Sequence, residues 1–73
     1  MNDRRNGNVT LIDNERGYGV IIDANGQDIQ FLLAETLVNI TVNSKVTFEI
    51  VLTRNGLMAA NVILDQELVN LRS

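Results

Sequence analysis

The residues that could do chemistry in this chain are few, and the missing ones matter as much as those present. There is no histidine and no cysteine. That removes the commonest general base, the commonest metal ligand, thiol nucleophiles and disulfides. No serine stands in a nucleophile setting. Two carboxylate pairs remain, Asp13 with Glu15 and Asp23 with Asp28. Carboxylates so spaced could exchange protons or hold a cation, but beside turns such groups are ordinarily solvated charges. No catalytic constellation, metal site or cofactor site emerges, and the expectation is a protein that is not an enzyme. The one element with binding character is Arg16-Gly17-Tyr18-Gly19. It sets a cation and an aromatic ring between residues that let a partner approach the backbone closely. The glycines also have a plain structural use, relieving crowding where a short strand coils.

Turn signals and alternation supply the elements that must position this group. Three Asn-Gly pairs punctuate the chain, at Asn6-Gly7, Asn25-Gly26 and Asn55-Gly56. Asn-Gly between alternating apolar runs is a strong hairpin signal, because both residues tolerate positive φ. The second pair joins a strand at Tyr18–Asp23 to one at Asp28–Leu33, and the third joins Lys45–Thr53 to Leu57–Asp65. Period-two alternation puts Val46, Phe48, Ile50 and Leu52 on one face of the fourth strand, which is expected to be buried. In the fifth it sets Ala60, Val62 and Leu64 against Ala59, Asn61 and Ile63. Tyr18, Val20 and Ile22 share the outer face of the second strand, and Gly19 and Ile21 the inner. Ile29, Phe31 and Leu33 oppose Gln30 and Leu32. A first strand, Asn8–Asp13, holds Val9, Leu11 and Ile12, so alternation alone leaves its faces open. Residues 34–37 have room for one helical turn, and residues 38–44 read as a loop or a short extended piece.

Size and charge bound the rest. With 73 residues the chain is one small domain. It divides into an N-terminal arm at 1–6, a domain at 7–65 and a tail at 66–73 that could dock on it. Hydrophobic residues make up 45% of the sequence, too many for a disordered chain. No run resembles a signal peptide or is long enough to cross a membrane, so the default expectation is cytoplasmic, with no membrane partner. The formal charge of −3 argues against a simple polyanion binder, although a local basic patch is compatible with it. Five short strands with tight turns and no helix of normal length imply an all-β closed barrel, which removes exposed edges.

The order of motifs resembles the bacterial cold-shock domain. Gly7-Asn8-Val9-Thr10-Leu11-Ile12-Asp13-Asn14-Glu15-Arg16-Gly17-Tyr18-Gly19-Val20-Ile21 is similar to that family's opening. Asp28–Leu33, Lys45–Ile50 and Asn55–Val62 fall where the family has its third, fourth and closing strands. The resemblance covers about residues 7–64. It implies a five-stranded antiparallel OB-fold barrel whose first three strands carry rings that stack on bases of single-stranded RNA or DNA. Stacking suits that role because every base has a π face.

Carried over position by position, only Tyr18 keeps a ring. The family tryptophan becomes Leu11 and the next phenylalanine Ile12. The second ring of the Gly-ring-Gly-ring element becomes Val20. In the third strand the ring and histidine positions become Gln30, Leu32 and Leu33, and a basic position becomes Thr10. At about 1–3 kcal/mol per stacked base, losing the stacking of even three of these rings costs roughly 3–9 kcal/mol. That is about two to six decades of affinity. Charge does not compensate. Over residues 1–33, Arg4, Arg5 and Arg16 face Asp3, Asp13, Glu15, Asp23 and Asp28. The resemblance therefore implies weak single-stranded nucleic-acid binding through Tyr18, Arg16, Gly17, Gly19, Thr10 and Gln30, with Arg4, Arg5 and Lys45 as further phosphate contacts. The alternative is a protein-interaction or homodimer face built from Leu11, Val20, Leu32 and Leu33. A third reading covers that face with the tail, through Leu68, Val69 and Leu71.

Overall fold

The computed structural model describes residues 4–36 and 39–65. Five strands, β1 (Arg5–Asp13), β2 (Tyr18–Asp23), β3 (Asp28–Leu32), β4 (Lys45–Thr53) and β5 (Gly56–Leu64), close into a barrel in the order β1-β2-β3-β5-β4. Four of the pairings are antiparallel, but the β3–β5 pair is parallel, through Gln30–Met58 and Phe31–Ala59. The core is Val9, Ile21, Ile29, Phe31, Val46, Phe48, Ala59 and Val62.

Both expected Asn-Gly hairpins form. Gly26 and Gly56 adopt positive φ, 81° and 104°, with open space where a Cβ would sit. The first Asn-Gly pair makes no turn. Asn6 and Gly7 lie within β1, which starts three residues before the expected Asn8, because they pair with Thr47 and Val46 of β4. A Cβ on Gly7 would stand 2.6 Å from the Ile21 side chain and from the Ile22 carbonyl, so the glycine answers a close approach.

Two bulges decide faces that alternation left open or misassigned. In β1 the register shifts between Val9 and Leu11. Val9 is then buried and Ile12 packs on the core, while Leu11 is left 41% exposed. In the β4–β5 pair the register shifts between Thr47 and Glu49, opposite Asn61, whose φ is 52°. Ala59 and Val62 therefore both point inward, which corrects the expectation that Ala60, Val62 and Leu64 share a face opposite Ala59.

The fourth strand also outruns the core. Val46 and Phe48 are fully buried and Ile50 partly, but Leu52 is 79% exposed at the hairpin tip beside Leu57. The expectation that Leu52 is buried fails because the barrel ends before the strand does. The short helical turn is a single 3-10 turn at Leu33–Glu35. The expected tail, 66–73, lies outside the described residues.

Candidate functional site

Tyr18 opens β2 immediately after a turn that Asp13 builds. Gly17 N–H donates to the Asp13 carbonyl at 2.8 Å, and Arg16 N–H donates to Asp13 Oδ1 at 3.0 Å. Gly17 takes φ 79°, which a residue with a Cβ adopts only under strain. Its carbonyl accepts from Leu33 N–H at 2.9 Å, tying the turn to the end of β3. The Tyr18 side chain is thereby placed on the outer face, half-buried, between Asp13 of β1 and Leu32 of β3. Arg16 is exposed, with Nε 3.9 Å from Asp13 Oδ2. An exposed pair at that distance is weakly coupled, so the guanidinium remains available to an anion.

Gly19 serves packing rather than ligand approach. It is buried, and a Cβ there would lie 2.5 Å from the Phe31 ring and 2.9 Å from the Leu11 carbonyl. The inner row Ile12–Gly19–Phe31–Ala59–Ile50 needs a residue without a side chain under Phe31.

The outer row beside it runs Leu11–Val20–Gln30–Met58–Val51 across all five strands. Leu11 is 41%, Leu32 44% and Val51 39% exposed. Gln30 is exposed in the middle of the row, and Thr10 is exposed at the β1 bulge, its hydroxyl 3.4 Å from the Val20 carbonyl. Leu33 does not join this face. It packs against the core from the 3-10 turn, because β3 ends at Leu32 and the chain bends inward.

Met58 and Val51 enter the site without any signal in the sequence. The parallel β3–β5 pairing carries the outer row on to them, and alternation within a strand does not report which strands are neighbours. Leu32, Glu35, Val51, Thr53 and Met58, with Ala59 and Ala60, line a groove of about 200 Å³ there.

The expected phosphate contact at Arg4 is corrected. Its guanidinium donates to the Thr47 carbonyl at 2.8 Å, the Asn61 carbonyl at 2.7 Å and Thr47 Oγ1, and stands 3.5 Å from Glu49 Oε2. It closes the β4–β5 bulge instead. Lys45 is exposed where β4 begins, paired with Asn8 and away from Tyr18. Among the described residues, no group of three or more Asp or Glu side chains could hold a metal ion.

A half-buried ring, one available guanidinium and an apolar row can hold a flat, weakly charged ligand by stacking and dispersion, with little electrostatic attraction. The model of the "Cold-shock" DNA-binding domain matches residues 5–64. Among solved structures, one described as drosophila Unr CSD456 is similar with a TM-score of 0.72 and 21% sequence identity. The match covers 85% of this chain and 26% of that one, so the present chain spans about a quarter of that structure's length. No curated protein matches the sequence significantly.

Proposed function

The chain belongs to the cold-shock DNA-binding domain family, and from that premise we propose that it is a non-enzymatic, cytoplasmic module that binds single-stranded RNA or DNA weakly on the outer face of β1–β3. The observation that carries this reading is Tyr18. It keeps a partly accessible ring on the outer face, positioned by the Asp13–Gly17 turn and adjacent to Arg16. Tyr18 stacks on one base and Arg16 contacts a phosphate. Leu11, Val20 and Leu32 offer dispersion contacts where rings would give stronger stacking. Titration of labelled protein with a short oligopyrimidine at low salt tests the reading. Shifts centred on Tyr18, Val20 and Leu32 with a dissociation constant between micromolar and millimolar are expected. Silence at millimolar oligonucleotide rejects it.

A second reading is supported by the length of the apolar row. Leu11, Val20, Met58 and Val51 lie on one row across the barrel wall, with Gln30 as its β3 member and Leu32 flanking it two residues along β3. Bands of that kind on small domains mark protein contacts, here with a second copy of the chain. Sedimentation equilibrium of the wild type and of Leu32→Asp decides this. A dimer that Leu32→Asp dissociates supports it, and a strict monomer at high concentration removes it.

A further inference from the structure

The tip of the β4–β5 hairpin carries apolar surface that the barrel does not use. Leu52 and Leu57 pair across the hairpin and are 79% and 63% exposed, the highest values among the large apolar side chains of the described residues. They continue the inner face of Ile50 and Ala59 past the point where the core ends. Native strands ordinarily carry charge or proline at such exposed places, which blunts unwanted association. The hairpin does not need leucines here, because Arg54 and Asn55 make the turn, with Gly56 at φ 104°.

Leu57 also lines a groove of about 450 Å³ at this end of the barrel. Ile29 and Ile50 give it an apolar floor, and the exposed Arg5, Gln27 and Asp28 form its rim. Neither the Arg5 guanidinium nor the Asp28 carboxylate has a partner among the described residues. This surface is complementary to itself. A purely basic or purely acidic partner would set one rim charge against its own sign, and a nucleic-acid strand would meet Asp28 and no ring. A second copy related by a two-fold axis satisfies both charges, because each Arg5 then faces the other copy's Asp28.

We infer that the hairpin tip is the face through which two copies of this chain associate. Leu52 of each copy enters the groove of Ile29, Ile50 and Leu57 in the other, and reciprocal Arg5–Asp28 ion pairs close the rim. A small apolar patch rimmed by charge is the form of a weak protein contact, so the dimer is expected to dissociate between roughly 10 μM and 1 mM. This contact is separate from the Leu11–Val20 row, which lies on the outer face of the wall. Asp28 and Tyr18 stand at opposite ends of the β2–β3 ladder, where they pair with Ile22 and Leu32. Association at the tip therefore leaves the Tyr18 face open in both copies.

Sedimentation equilibrium of the full chain at rising concentration tests this, with circular dichroism confirming that each variant is folded. The wild type should dimerise in the stated range. Leu52→Asp should weaken the dimer by at least about tenfold, and its fold should survive because Leu52 is mostly exposed. Arg5→Glu alone and Asp28→Lys alone should each weaken it roughly tenfold, since each sets like charges together at both ends of a two-fold contact. The double reversal should return the affinity to within a few-fold of wild type. A strict monomer at millimolar concentration overturns the inference, whether the tip then shows methyl NOEs to Met1–Asp3, shifts with oligonucleotide, or stays bare. A dimer that survives Leu52→Asp but is lost in Leu32→Asp overturns it in favour of the outer row. A double reversal that recovers nothing overturns it as well. Leu52→Asp should leave the oligonucleotide shifts at Tyr18 unchanged, so the inference and the proposed function fail independently.

Discussion

Single side chains divide here between holding the barrel and meeting a ligand. The proposed function puts Tyr18 in the second group. Tyr18→Ala should weaken oligonucleotide binding by roughly 5- to 100-fold, the worth of one stacked base, while Tyr18→Phe retains most of it. Fluorescence anisotropy with a labelled oligopyrimidine reads both, and equal affinity of Tyr18→Ala and wild type would remove the ring from the site. Gly19 belongs to the first group despite its place in the same motif. Gly19→Ala drives a Cβ to 2.5 Å from the Phe31 ring, so it should cost about 1–3 kcal/mol. For a domain this small that lowers the melting temperature by several degrees at least. Calorimetry checks it, and an unchanged melting temperature would mean that the ring moves freely. The Arg-Gly-Tyr-Gly motif thus joins a packing residue, Gly19, to the proposed ligand contacts Tyr18 and Arg16. Only the distances around each glycine separate them.

At the scale of elements, the β4–β5 bulge shows how a terminal residue is drawn into the fold. The Asn61 amide donates to Glu49 Oε1 at 2.9 Å, and the Arg4 guanidinium bonds the Asn61 and Thr47 carbonyls from outside. Irregular pairing leaves such carbonyls without ladder partners, and an arginine satisfies several at once. Arg4→Ala should therefore lower stability by about 1–2 kcal/mol, seen as an earlier urea midpoint with an unchanged slope. Its oligonucleotide affinity should equal that of the wild type. A loss of affinity with no loss of stability would restore the phosphate-contact role that the sequence suggested for Arg4. The β1 bulge acts on the site more directly. By turning Leu11 outward while Val9 and Ile12 stay in, it completes the band that runs from β1 to β4.

For the whole molecule the governing quantity is charge. The chain carries −3, Arg4 is engaged internally, and Arg16 stands beside Asp13. One or two phosphate contacts give a slope of log affinity against log salt of roughly −0.7 to −1.4 for a single strand. Binding measured from low to physiological salt should therefore fall only slightly. A slope steeper than about −3 would demand a basic surface that the described residues do not provide. On the proposed function, weak electrostatics and one ring imply binding that rests on contact area more than on steering.

The sequence alone determined the elements and their order, because alternation, Asn-Gly turns and the absence of helix-length periodicity are local signals. It located Tyr18 on an outer face, and the family resemblance implied that most ring positions hold Leu, Ile, Val or Gln. It also left out histidine and cysteine chemistry without ambiguity. Whatever depends on register was decided by the tertiary structure. A bulge shifts parity by one residue, so Leu11 and Ala59 took their faces from it rather than from their neighbours in the chain. Closure through the parallel β3–β5 pair brought Met58 and Val51 beside Gln30. Arg4 reached carbonyls more than forty residues away. Asp23, a turn residue by sequence, became a buried carboxylate in a cleft. Each of these is a non-local contact, and non-local contacts have no period along the chain for a sequence pattern to reveal.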